Sequence, residues 1–197
     1  MPRSDFFTRL GLFVANGFFD AELCARLRRE LRAAQCEPAK VYGDDRQNAV
    51  NRSVRSTSWL KVTANTSSLV DARLGALLPM LEGHFRVPLR GWQDVDFLRY
   101  AQGDFFQSHR DANPHAEAPD YLQARRVSIV LFLNREGVDY GGGSLTFYGL
   151  LEDPRWASYG FPLRGEEGLL VAFRSDVLHG VTPVTHGERL TLVTWFY

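Results

Sequence analysis

Leu23, Leu27 and Leu31 recur at four-residue spacing through "DAELCARLRRELRAA" (20–34), with charged residues between them. That pattern predicts an amphipathic helix with Asp20 as its N-cap. A second helical pattern runs through "SSLVDARLGALLPMLEGHF" (67–85), where Pro79 is expected to kink the helix or split it in two.

Past Pro88 the period shortens to that of strands. Short β-rich runs follow, separated by turn residues: 92–101, 126–134, 144–148, 168–173 and 189–197. A helical front (about 1–90) followed by a β body (about 91–197) reads as one α+β domain, mainly β, with helices packed on a β-sandwich or distorted barrel. Three stretches, 38–58, 112–125 and 152–167, are too polar and irregular for a core and are expected to form functional loops or surface decoration.

Composition narrows the function classes. The 197 residues suffice for one domain that buries about two-thirds of its unfolded surface. Twenty-three basic and 23 acidic side chains cancel, so the bulk positive field of a nucleic-acid binder is missing. No apolar run approaches the roughly 20 residues of a membrane span, and the first twenty residues lack a secretory cleavage site. Cys24 and Cys36 are the only cysteines. On one continuous helix their Cα atoms would lie roughly 18 Å apart, beyond disulfide reach. A soluble protein of the reducing cytoplasm, with no membrane or nucleic-acid partner, is expected.

The chemistry concentrates in "FFQSHRDANPH". In an extended strand residues i and i+2 share a face, so His109 and Asp111 can aim an imidazole and a carboxylate at one point. A metal claw needs a third donor, and His84, His115, His179 and His186 are the candidates. His179 stands out because it follows the buried-looking strand of "GLLVAFRSDVL"; the other three sit at a helix end or in loops. Two imidazoles and one carboxylate leave three positions open on iron, and they also suit zinc with a water.

Alternation in "RLTLVTWFY" puts Arg189, Thr191, Val193, Trp195 and Tyr197 on one face and Leu190, Leu192, Thr194 and Phe196 on the other. If the first face is interior, Arg189 is a buried cation that requires a carboxylate. That carboxylate belongs either to a protein Asp or Glu or to a small dicarboxylate ligand.

Taken in order, these blocks resemble the Fe(II)/2-oxoglutarate-dependent dioxygenases, in their prolyl 4-hydroxylase-like branch. "LRYAQGDFFQSHRD" resembles its tyrosine, glycine and His-x-Asp block, "RRVSIVLFLN" the strand that follows, and "GGGSLTF" its Gly-Gly turn and strand. "FRSDVLHGVTPVTHGERLTLVTWF" resembles the block with the distal His, a basic residue ten positions later, and a closing Trp. The fold implied is a double-stranded β-helix, or jelly-roll, with N-terminal supporting helices.

The resemblance implies His109, Asp111 and His179 as catalytic iron ligands, and Arg189 with Tyr100 as the holders of 2-oxoglutarate. At the substrate groove it implies Arg125 and Trp195, together with either Arg52 or Arg55 from "NRSVRSTSWL". The cofactors implied are Fe(II), 2-oxoglutarate and O2, with ascorbate as a reductant. The reaction implied is hydroxylation of a C–H bond in a prolyl or other residue of a peptide or protein, with release of succinate and CO2. Hydroxylation of a free or carrier-linked amino acid or small metabolite stands as the alternative, and a non-catalytic metal or dicarboxylate sensor as another. Phe106, Leu145 and Phe132 depart from the pattern, standing where some members carry a groove Tyr, a cosubstrate Thr and a cosubstrate Tyr.

Overall fold

The computed structural model describes residues 3–42, 48–151 and 153–197. Helix α1 (Arg3–Arg9) leads into β1 (Phe13–Ala15), and α2 (Ala21–Ala33) starts where the Asp20 side chain accepts the Leu23 N–H at 2.8 Å. Strand β2 (Cys36–Pro38) and the small hairpin β3 (Val41–Tyr42) and β4 (Asn48–Ala49) follow. Next come β5 (Arg55–Ser56), β6 (Ser58–Leu60) and the long helix α3 (Ala64–Phe85).

The β body begins with β7 (Asp96–Tyr100) and β8 (Phe105–His109). After the short helix α4 (Asp120–Ala124) come β9 (Val127–Phe132), β10 (Tyr140–Gly142), β11 (Leu145–Phe147) and β12 (Phe161–Leu163). The chain closes with β13 (Leu170–Arg174), β14 (His179–Val181), β15 (Val184–Gly187) and β16 (Arg189–Phe196).

A major sheet runs β1-β13-β9-β16-β7-β6-β2 and a minor sheet β12-β11-β14-β8-β5. Both are antiparallel throughout, and their facing residues, among them Phe132, Val171 and Phe173 against Leu145 and Phe147, form one apolar cluster. This is the jelly-roll the sequence led us to expect. The outer face of the major sheet packs Phe97, Leu190, Leu192 and Phe196 against Leu27 and Leu31 of α2 and Leu74, Leu77 and Leu81 of α3. Each such leucine contributes about 1.5–3 kcal/mol on burial, which makes the helices integral support for the sheet.

Local details differ from expectation where packing overrides propensity. Helix α3 is not split at Pro79, because Leu77 and Leu81 on either side of it are anchored in the core. The 38–58 stretch is not mere surface: it supplies β3 to β6 and buries Arg55 and Thr57. Cys36 lies on β2 rather than on a continuation of α2, and both cysteines are free thiols, Cys24 buried and Cys36 exposed. No described helix is long and apolar enough to cross a membrane.

Candidate metal and cosubstrate site

Strand β14 lies beside β8 with His179 directly opposite His109. Gly180 permits this approach: a Cβ there would stand 3.0 Å from the Phe106 carbonyl oxygen and 3.1 Å from the Ser108 nitrogen. Each imidazole directs Nδ1 at the carbonyl two residues earlier, His109 at Gln107 (2.9 Å) and His179 at Val177 (3.0 Å). With Nδ1–H donating there, each ring keeps its Nε2 lone pair for a ligand.

Asp111 supplies the third donor from outside the sheet. His109 ends β8, and Asp111 sits in the bend beyond it, so its placement comes from tertiary hydrogen bonds and not from strand alternation. Its N–H and that of Ala112 donate to the Ser175 carbonyl at 3.0 and 2.9 Å. Its own carbonyl accepts from Arg125 Nη1 at 3.2 Å. The carboxylate then reaches His109 Nε2 at 3.3 Å and His179 Nε2 at 3.5 Å, and the three donor atoms lie within 4.8 Å of one another. His84, by contrast, packs its ring against Phe13 and Phe85, while His115 and His186 are exposed.

The electrostatics suit a cation. Burial alone raises the Asp111 carboxyl, yet His179, His109 and Arg125 hold it well below the usual carboxylate range. Burial pushes His179 down to about 4, so its imidazole is neutral and ready to ligate at neutral pH.

These donors open on a cavity of about 840 Å³, whose lining includes Val41, Tyr42 and Asn48 of β3 and β4 and Tyr121 and Leu122 of α4. Arg189 lies at its inner end, 1% exposed. Its Nη1 donates to Thr191 Oγ1 at 3.1 Å, its Nε has no partner, and no carboxylate pairs with it among the described residues. Tyr100, its register partner on β7, and Phe132 flank the guanidinium with ring centroids 4.9 and 5.0 Å away.

Among the groove candidates, Arg125 lies over the Trp195 ring at 3.5 Å, and both line the cavity. Arg55 is buried and lines the cavity, whereas Arg52 is exposed and lies outside its lining. Of the departures, Phe106 stacks on the His109 ring at 3.6 Å and Leu145 contributes to the wall.

Two polar groups escaped the sequence reading. Tyr140 is fully buried beside Arg189 with its hydroxyl unpartnered, and burial raises its pKa while Arg189 partly offsets the rise. Nothing in the loop sequence around it signals this. Asp96 accepts the Trp59 indole N–H at 2.9 Å and faces the cavity two and four positions before Leu98 and Tyr100. That alternation was available in "DFLRY".

Residues 95–197 match the family model of the 2OG-Fe(II) oxygenase superfamily, a span that contains the claw and Arg189. The chain belongs to that superfamily. Superfamily relatives include a probable prolyl 4-hydroxylase of Arabidopsis thaliana, 25% identical over 94% of this chain and 62% of its own length. A PKHD-type hydroxylase of Shewanella baltica is 36% identical over 50% of this chain and 40% of its own length. The chain thus spans less than two-thirds of the length of each of these curated relatives.

Among solved structures, a Pseudomonas putida prolyl-4-hydroxylase superposes with TM-score 0.69 at 25% identity, covering 94% of this chain and 91% of that one. A Trichoplax adhaerens prolyl hydroxylase, in complex with a hypoxia inducible factor oxygen degradation domain peptide fragment, shares the fold with TM-score 0.71 at 16% identity. The match covers 98% of this chain and 88% of that one. The site residues fit the group the superfamily name implies. Two imidazoles with tethered Nδ1 atoms and a carboxylate suit Fe(II), and a buried guanidinium lacking a carboxylate suits a 2-oxo dicarboxylate.

Proposed function

We propose that this chain is an Fe(II)- and 2-oxoglutarate-dependent oxygenase that hydroxylates a C–H bond of a prolyl or other residue in a peptide or protein, releasing succinate and CO2. One observation carries the reading: the carboxylate-less Arg189 guanidinium and the His109–Asp111–His179 claw open on the same cavity. Family membership places iron ahead of zinc as the claw's occupant.

When bound, iron and the 2-oxo acid supply the O2-activating chemistry. The chain's own work is to position. His109 and His179 hold the metal through Nε2, with their Nδ1 protons committed to backbone carbonyls, and Asp111 adds the anionic charge. Arg189 grips the far carboxylate of the cosubstrate, with the Tyr140 and Thr191 hydroxyls nearby to complete its hydrogen bonding. The apolar walls formed by Phe106, Leu145 and Val181 keep bulk water from the reacting end. Ascorbate would serve as reductant for turnovers that fail to reach substrate.

The polypeptide substrate is supported by the prolyl hydroxylases among the relatives. A free or carrier-linked amino acid is the second reading, favoured by one contact: Asn48 of the hairpin and Tyr121 of α4 hydrogen-bond at 3.0 Å, joining the two walls. The free thiols accord with a cytoplasmic location. Succinate and CO2 release, measured with Fe(II) and 2-oxoglutarate over panels of prolyl peptides and amino acids, tests the function. Substrate-stimulated succinate with a product heavier by one oxygen is expected; 2-oxoglutarate bound without turnover over both panels would replace the enzyme by a sensor.

A further inference from the structure

Arg189 is not the only buried guanidinium in the cavity that lacks a carboxylate. Arg55 is 7% exposed, forms no ion pair among the described residues, and has an Nε with no partner. Its one described side-chain hydrogen bond runs from Nη1 to the Lys40 carbonyl at 3.2 Å, which fixes the fork without neutralising it. It stands on β5 opposite Phe106 of β8, with the guanidinium carbon 4.8 Å from the Phe106 ring centroid and 5.8 Å from that of Trp59. Phe106 in turn stacks on His109, so a single ring separates this cation from a donor of the claw. Asp96, within electrostatic reach, gives one carboxylate oxygen to the Trp59 indole and makes no ion pair with Arg55.

The charge around the cavity carries the same message independently. The protein as a whole is neutral, yet the described cavity wall carries Lys40, Arg55, Arg110, Arg125 and Arg189. Opposing them are Asp94, Asp96 and Asp111. A divalent metal with Asp111 and a dianionic cosubstrate with Arg189 make a neutral set. Among the described lining residues the remainder is four cations, Lys40, Arg55, Arg110 and Arg125, against the two carboxylates of Asp94 and Asp96.

We propose that the primary substrate presents a carboxylate to Arg55, as an acidic side chain beside the target residue of a peptide. The shared chemistry is a carboxylate accepting a charge-assisted hydrogen bond from the vacant Nε side of the fork, next to the metal. It rests on the hydroxylase reading for what enters the cavity, and not on that substrate being a polypeptide, since a free amino acid carries the same group.

The test uses the protein loaded with Mn(II) and 2-oxoglutarate and titrated calorimetrically. One panel holds proline-containing peptides that differ only by Asp or Glu against Asn or Gln in the residues flanking proline. A second holds free and N-acetylated amino acids beside their amides. The acidic member of a pair is expected to bind about tenfold or more tightly, Arg55→Gln to erase that preference, and Arg55→Lys to keep part of it. A preference confined to the amino-acid panel, and lost in Arg55→Gln, supports the role of Arg55 while removing the polypeptide reading. Acid and amide members that bind alike, the absence of any preferred acid in either panel, or a preference that survives in Arg55→Gln overturns it. If Arg55→Gln does not fold, the acid–amide comparison in wild type and in Arg55→Lys decides.

Discussion

Arg189 and Tyr100 stand directly opposite one another on neighbouring strands of the major sheet, with the guanidinium carbon 4.9 Å from the phenol ring centroid. The ring supplies only a cation–π contact, which offsets part of the cost of burying a full positive charge. With its Nη1 donating to Thr191 Oγ1 and its Nε without a partner, Arg189 is paired with no carboxylate among the described residues. Under the proposed function a dicarboxylate cosubstrate would complete it.

Arg189→Ala should therefore raise the KM for 2-oxoglutarate on the order of a hundredfold, because a buried charged contact is lost. Arg189→Lys should recover part of the loss, since a point charge replaces a planar fork. Steady-state succinate formation against cosubstrate concentration checks both, and an unchanged KM would make Arg189 a structural cation.

Tyr140→Phe should act in opposite directions on stability and on cosubstrate binding. Its hydroxyl is buried without a partner, so removing it should stabilise the ligand-free fold by about 1–3 kcal/mol. If the hydroxyl meets the cosubstrate, the same change weakens 2-oxoglutarate binding. Thermal unfolding with and without 2-oxoglutarate reads both: a higher ligand-free Tm and a smaller ligand-induced rise.

How much of this was legible in the sequence depends on where each residue's position is decided. Arg189, Trp195 and the two-faced β16 follow from alternation, because a strand fixes side-chain direction every second residue. The amphipathic α2 and its Asp20 cap were legible for the same local reason. Asp111 was identified, but its position depends on Ser175 and Arg125, far along the chain, and no local period encodes that. Of the two outcomes expected at Pro79 the split does not occur, because the core that holds Leu77 and Leu81 on either side of it is not written in helix propensity. The choice of Arg55 over Arg52 as the cavity residue required the pairing of β5 with β8, a contact across about fifty residues.

Asp111→Ala should leave a folded protein whose metal affinity falls by more than about a hundredfold, exceeding the loss expected when an outer hydrogen-bond partner of a ligand is removed. Calorimetric titration with Mn(II), alongside a circular dichroism spectrum unchanged from wild type, measures it. Metal affinity within a few-fold of wild type would remove the carboxylate from the donor set.

Asp96 provides a pH signature. Burial raises its pKa above the ordinary carboxylate value, against the pull of Arg55, of Trp59 and of Arg125. The folded state then holds the proton more tightly than the unfolded chain. Its contribution to stability is greatest below the unfolded-state value and is lost as pH rises through the folded-state value. Asp96→Asn should remove that slope and raise Tm relative to wild type at neutral pH. Urea unfolding of both proteins from pH 4 to pH 7 tests the sign; parallel curves would mean that burial does not perturb Asp96.

Under the proposed function one cavity chelates both iron, through His109, Asp111 and His179, and 2-oxoglutarate, through Arg189. Anaerobic visible absorption of metal-free protein, titrated first with Fe(II) and then with 2-oxoglutarate, tests it most directly. A charge-transfer band that requires both additions, and that weakens in His179→Ala and Arg189→Ala, is the predicted result. No band from folded wild-type protein saturated with both ligands would contradict it.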